Sequence, residues 1–214
     1  MVTTKAGGLG RDRLIEDLRA LGVESDDTVL LHSNLRALAP VKEILAAPDG
    51  GMKWLIEAFR EVLGPGGTLA VPTLTKCFKG EGGPVGQVWH PKKTPSRVGQ
   101  ITNYVLAQPD SFRSDHPTHP LGAIGGRAEE FCRGHSWRDG ATTFDRKGPW
   151  GHLADWDGKV MWLGTTMHTQ TMVHALEDWM NLPYMATLTA LVEDPEGVTK
   201  EVPVTRSPAG CRDF

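Results

Sequence analysis

The sequence predicts a single α/β domain with a mixed central β-sheet flanked by helices, and three observations carry that prediction. The chain has 214 residues, enough to bury one substantial core and too few for two well-developed ones. Short apolar runs of strand length alternate along it with segments whose apolar residues fall at helical spacing. Gly or Pro stands at most of the switches between them. A hydrophobic fraction of 39% with 25 Gly and 15 Pro describes a loop-rich globular protein and neither a disordered nor a fibrous one.

In chain order, Leu14, Ile15, Leu18 and Leu21 mark an amphipathic helix from Arg11 to Leu21, stopped by Gly22. Thr28-Val29-Leu30-Leu31 reads as a strand that ends in polar His32-Ser33-Asn34, and strand ends of this kind are where α/β proteins place ligands. Met52 to Leu63 is a second helix, with Leu55, Ile56, Phe59, Val62 and Leu63 on one face and Gly64-Pro65-Gly66-Gly67 ending it. Thr68 to Val71 is a strand that breaks at Pro72. Thr73 to Pro95, rich in Gly, Pro and Lys and without periodicity, predicts a long mobile surface loop or lid. Val98 to Leu106 predicts a helix, Leu121 to Ile124 a short apolar element, and Arg127 to Gly134 another helix. The apolar run Lys159-Val160-Met161-Trp162-Leu163 predicts a buried strand closing at Gly164. A helix follows, with Thr165, Thr166 or Thr169 as its N-cap, and Tyr184 to Val192 and Val198 to Val204 predict a late hairpin across Asp194-Pro195-Glu196-Gly197.

Composition excludes several classes. A net charge of −3 without a basic stripe gives no footprint for nucleic acid. No apolar run approaches the ~18 residues of a membrane span, and no apolar stretch follows the basic N-terminus, so the expected location is the cytoplasm, away from membranes. Cys77, Cys132 and Cys211 are odd in number and scattered, unlike a disulfide framework or a zinc knuckle. Oligomeric state stays open.

The chemistry concentrates in two polar clusters, Arg113 to Pro120 and Gly164 to Asp178. Histidine titrates near neutrality, so clusters of imidazole, carboxylate and hydroxyl groups meeting in one cleft supply a base, an orienting acid and donors. On a helix, Glu177 and Asp178 lie three and four residues beyond His174, which places both acids beside the imidazole. His32-Ser33-Asn34-Leu35-Arg36, opening after a strand, offers backbone N–H groups to a pyrophosphate or a carbonyl oxygen.

Five runs, Val29-Leu30-Leu31-His32-Ser33-Asn34-Leu35-Arg36, Gly67-Thr68-Leu69-Ala70-Val71-Pro72-Thr73, Arg113-Ser114-Asp115-His116-Pro117-Thr118, Gly125-Gly126-Arg127-Ala128-Glu129 and His174-Ala175-Leu176-Glu177, occur in one order. In that order and approximate spacing the chain resembles the aminoglycoside 3-N-acetyltransferase family from about Leu14 to Asp178, with a fainter echo at Gly210-Cys211-Arg212-Asp213-Phe214. The resemblance implies an acetyl-CoA-dependent transferase that acetylates the 3-amino group of the 2-deoxystreptamine ring of aminoglycoside antibiotics and so confers resistance. It places His116, His174 and Glu177 on catalytic and acceptor-binding positions, without ranking which is the base, and adds Asp178 to the acceptor site. It runs coenzyme A along His32, Ser33, Asn34, Leu35, Arg36, Thr73, Arg97 and Ser114.

The chain departs from the family pattern at three places. Asn34 stands where a second small hydroxyl residue is usual, Pro120 replaces a common hydroxyl residue, and a further C-terminal stretch usual in relatives is expected to be absent from the single domain 1–214. Because an aminoglycoside carries several ammonium groups, its site is expected to present carboxylates and carbonyl oxygens. Two other readings stand beside this one. A metal-dependent hydrolase would use His116, His119, His168 and Glu177, although the HExxH or clustered acid pattern that fixes a metal is missing and no metal is expected. A catalytically impaired ligand-binding relative would keep the cleft and lose the turnover.

Overall fold

The computed structural model describes residues 10–38, 47–79 and 87–207. The Gly210 to Phe214 motif, the start of the chain and the middle of the Thr73 to Pro95 stretch lie outside the described residues. Among the described residues, five strands form the central sheet: β1 (Thr28–Ser33), β2 (Thr68–Pro72), β5 (Phe112–Arg113), β6 (Leu121–Gly125) and β7 (Lys159–Leu163). Their order is β5-β6-β2-β1-β7. β1 runs parallel to β2 and β7, while β6 is antiparallel to β2 and β5, so the sheet is mixed, as the sequence predicts.

Strand geometry explains how one apolar run serves two layers, because alternate side chains point to opposite faces. On one face Val29, Leu31, Leu69, Val71 and Ile124 pack against helices α1 (Arg11–Ala20), α3 (Met52–Leu63) and α4 (Gln100–Leu106). Leu14, Ile15 and Leu18 of α1 and Leu55, Ile56, Phe59, Val62 and Leu63 of α3 fill that layer, matching the predicted helical faces. Leu21 does not join them. It is exposed, because the helix ends at Ala20 and Gly22 turns the chain away with φ +84°.

On the other face Leu30, Ala70, Leu121 and Ala123 meet α5 (Ala128–Cys132), α6 (Pro149–Asp155) and α7 (Met172–Trp179), which contribute Phe131, Trp150, Leu153, Met172 and Ala175. α6 has no counterpart among the elements predicted from sequence. Its start is a Gly148-Pro149 pair in which Pro occupies the first helical turn, where its missing N–H costs nothing. A single-turn α2 (Leu35–Leu38) also follows β1.

A second sheet corrects the lid expectation. β3 (Phe78–Lys79), β4 (Val88–Trp89) and β9 (Thr199–Arg206) all pair with β8 (Ala186–Glu193). The β8–β9 hairpin appears where predicted, from Ala186↔Arg206 to Glu193↔Thr199. Thr73, Thr75, Cys77, Phe78, Trp89 and Thr94 are buried, so the described ends of the Thr73 to Pro95 stretch are packed structure rather than surface loop. Two-residue strands leave too little alternation for a sequence pattern to reveal them. The Lys159 to Leu163 run is likewise a strand but not a buried one, since β7 closes an edge of the sheet and all five residues are partly exposed.

Candidate active site

A cavity of about 520 Å³ opens at the carboxyl ends of the parallel strands β1 and β2. That is the ligand position expected for an α/β sheet, and the volume falls within the range of small-molecule sites. His32 and Ser33 enter it from the end of β1, Pro72 and Leu74 from β2, and Val98 and Thr102 from the start of α4. Beyond β7, Gly164 takes φ +67° and the chain passes through a short 3-10 turn, Met167–Thr169, before α7 begins. Met167, His168, Thr169, Gln170 and Thr171 of this connection form another wall. The predicted threonine N-caps therefore belong to a connection with two turns, and Thr171, at the N-cap of α7, makes no side-chain cap bond.

α7 anchors the polar centre. Met172 and Ala175 are buried in the core, which leaves His174 and Glu177, one helical turn apart, on the cavity wall. His174 Nδ1 lies 2.6 Å from Glu177 Oε2. With the carboxylate ionised, Nδ1–H donates, which leaves Nε2 as the basic nitrogen of the ring. Glu177 is buried, and its other oxygen, Oε1, accepts a hydrogen bond of 3.1 Å from the Tyr184 hydroxyl. A carboxylate held on both oxygens in a low-dielectric wall is a fixed orienter for the imidazole, the arrangement a histidine general base needs.

His119 joins the pair from the far cluster. Its Nδ1 lies 3.0 Å from the Thr118 hydroxyl, which is 3.4 Å from His116 Nδ1, so the three side chains form a chain from the buried interior to the cavity. Burial first, and the neighbouring His174 second, push His119 down to about 3, which keeps it neutral. His32 is pushed down to about 4 by burial, and its Nε2 is buried without a hydrogen-bond partner among the described residues. By sequence pattern alone His119 is only a weak candidate metal ligand. The signal that it belongs to the site was its place in the Arg113 to Pro120 cluster.

The other sequence candidates fall elsewhere. His116 is buried behind the cavity, its ring parallel to that of His135 at 4.7 Å, and its pKa is held well below 6.5 by burial and then by His135. Ser114 is also buried. Its Oγ accepts from Leu121 N–H at 3.1 Å and sits 3.0 Å from His135 Nδ1. Thr73 donates its hydroxyl to the Pro120 carbonyl (2.9 Å) and accepts from Arg113 Nε (3.0 Å). Asn34 and Arg36 are exposed in the turn after β1, where Asn34 Oδ1 accepts from Arg36 N–H at 3.2 Å, and Leu35 begins α2. Arg97 is exposed and donates to Gln87 Oε1 at 3.4 Å. Asp178 is raised by burial, with a hydrogen bond from Thr205 opposing the rise, and it does not line the cavity. Among the described residues no three His, Cys, Asp or Glu side chains gather into a group able to hold a metal ion, so the hydrolase set is not assembled.

Fold and cavity define an α/β protein with a small-molecule site at its strand ends and a histidine–carboxylate pair on the wall of that site. The profile of the aminoglycoside 3-N-acetyltransferase family matches residues 30–214, and the chain belongs to that family. Aminoglycoside N(3)-acetyltransferase VIII of Streptomyces fradiae is 29% identical over 192 residues, covering 81% of this chain and 62% of that protein. Aminoglycoside N(3)-acetyltransferase VII of Streptomyces paromomycinus is 28% identical over 195 residues, covering 83% and 63%. The chain thus spans about three fifths of the length of these curated relatives. Among solved structures, the aminoglycoside acetyltransferase AAC(3)-Xa superposes with a TM-score of 0.79 at 25% identity, covering 96% of this chain and 74% of that one. AAC-IIIb, solved as a binary complex with CoASH, gives a TM-score of 0.76 at 24% identity over 94% and 76%. Among the described residues no helix is long and apolar enough to cross a membrane.

Proposed function

We propose that the chain catalyses acetyl transfer from acetyl-CoA to an amine of an aminoglycoside, the 3-amino group of the 2-deoxystreptamine ring, and that it works in the cytoplasm. The observation that carries this reading is the His174–Glu177 pair, 2.6 Å apart on the wall of a cavity at the strand ends. Family membership and the relatives' names support it, as do neighbours solved with CoASH and, at 23% identity, with apramycin.

The chemistry asks little of the protein beyond alignment and a base. Holding two reactants in line supplies roughly 7–11 kcal/mol of the barrier. His174 Nε2 accepts the proton that the amine sheds as its nitrogen attacks the thioester carbonyl carbon, and Glu177 steadies the imidazolium that forms. The C–S bond then breaks, the proton passes to the departing sulfur, and an amide and free CoA thiol result. His116, Ser114, Thr73 and the turn from Asn34 to Arg36 support this site from the surrounding structure, with His32 and Ser33 the members of the donor segment that reach the cavity.

Mixing the purified protein with acetyl-CoA and gentamicin-like or apramycin-like acceptors is expected to release free thiol stoichiometrically with acetylated drug. No thiol release across a broad amine panel would overturn the reading.

A further inference from the structure

An aminoglycoside brings several N–H donors, and the cavity offers few acceptors to meet them. Among the described residues that line it, Glu177 is the one acid, and its oxygens are engaged by His174 and Tyr184. Four imidazoles share the wall. His174 is the proposed base, His32 has its Nε2 buried, and His168 sits in the exposed turn before α7 with its Nδ1 against the Thr166 hydroxyl. His119 differs from all three. Its backbone is pinned, because Trp150 Nε1–H donates to the His119 carbonyl at 3.2 Å and Thr75 N–H donates to the Thr118 carbonyl at 3.0 Å. Its ring centre lies 4.8 Å from that of the buried Phe144. Nδ1 faces the Thr118 hydroxyl, while Nε2 makes no hydrogen bond among the described residues.

We infer that His119 Nε2 is a neutral hydrogen-bond acceptor for an ammonium of the aminoglycoside, held in that tautomer by the Thr118 hydroxyl. The inference rests on the acetyl-transfer reading and deepens it by naming a second imidazole of the acceptor site. The tautomer follows from the chain of groups behind the ring. His116 Nδ1 lies 3.4 Å from the Thr118 N–H, which donates to it, so that nitrogen carries a lone pair and can take the Thr118 hydroxyl proton at 3.4 Å as well. The Thr118 oxygen then accepts from His119 Nδ1–H at 3.0 Å. This order uses both the donor and the acceptor capacity of Thr118, and it leaves the lone pair of His119 on Nε2. Burial first, then His174, His135 and Arg206, push the ring down to about 3, so it stays an acceptor. The two imidazoles therefore divide the work. His174, backed by a carboxylate, can carry the positive charge of the proton it takes, whereas His119, backed by a hydroxyl, holds the acceptor without competing for that proton.

Calorimetry with neomycin, apramycin and CoA, on the unaltered protein and on His119→Phe, His119→Gln and Thr118→Val, tests this, with nitrogen-15 NMR of histidine-labelled protein as a readout independent of turnover. The His119 resonances are expected to show a protonated Nδ1 and a bare Nε2. His119→Phe keeps a ring against Phe144 and removes the lone pair, so both drugs should bind about 10- to 100-fold more weakly while CoA affinity holds. His119→Gln, whose amide oxygen offers a neutral acceptor, should recover most of that loss. Thr118→Val should weaken drug binding in the unaltered background and add nothing to His119→Phe, because it acts through the same ring. Drug affinity unchanged in His119→Phe would overturn the inference. So would an equal loss of CoA affinity, a protonated Nε2, a further loss from Thr118→Val on top of His119→Phe, or failure of the unaltered protein to bind either drug. Thiol release with the same drugs separates the two claims, since its complete absence refutes acetyl transfer while the binding ratios still decide the role of His119.

Discussion

His174 and Glu177 stand one turn apart on α7 with Nδ1 and Oε2 separated by 2.6 Å, and the same glutamate receives the Tyr184 hydroxyl on its second oxygen. The imidazole is thereby oriented by a group that is itself fixed. Replacing His174 with Ala removes the base and is expected to lower kcat by about 10²–10⁴-fold, whereas Glu177→Gln keeps the shape and removes the charge that steadies the imidazolium. Steady-state thiol release by the two variants, with far-UV circular dichroism to confirm folding, checks both. Either variant retaining full kcat would refute the assignment.

Tyr184→Phe removes one hydrogen bond to the buried carboxylate and leaves the base in place. A bond to a charged group contributes about 1.5–3 kcal/mol, so kcat should fall by about 10- to 100-fold at most, toward the lower end of the range for His174→Ala. A loss as large as that of His174→Ala would show that Tyr184 does more than hold Glu177.

Three buried imidazoles make the fold sensitive to acid. His32 and His135 are pushed down to about 4 and His116 well below 6.5, each chiefly by burial. In the unfolded chain such groups titrate at about 6.5. Because the folded values are the lower ones, acidification protonates the unfolded state first. The stability they contribute is complete above about pH 6.5 and is lost as the pH falls toward their folded values, at about 1 kcal/mol per group per pH unit. Urea midpoints are expected to drop between about pH 7 and pH 5. A midpoint that stays level or rises across that interval would contradict the burial of these rings.

Gly125 takes φ +112°, and a Cβ there would lie 2.2 Å from the Gly67 carbonyl oxygen across the β2–β6 junction. Gly125→Ala therefore combines a strained backbone with a collision against main chain and is expected to cost about 2 kcal/mol or more. Chemical denaturation of the variant measures it, and a loss of a few tenths of a kcal/mol would mean that this turn relaxes easily.

Much of this protein was legible in its residues. The faces of α1 and α3, the strands at Thr28 and Thr68, the hairpin of β8 and β9 and the i, i+3 spacing of His174 and Glu177 are local patterns, set by helical and strand periodicity within a few residues. Tertiary structure decided what local spacing cannot carry. It drew β3 and β4 out of an apparent loop by pairing them with β8 more than a hundred residues away, and it left the apolar β7 at a sheet edge. It also sorted two histidines three residues apart, sending His116 into the interior against His135 and His119 to the cavity. That sorting follows from which elements pack around each ring, a long-range matter of burial and charge. The approach of Arg206 to His119 and His174, from the far end of the chain, has the same origin.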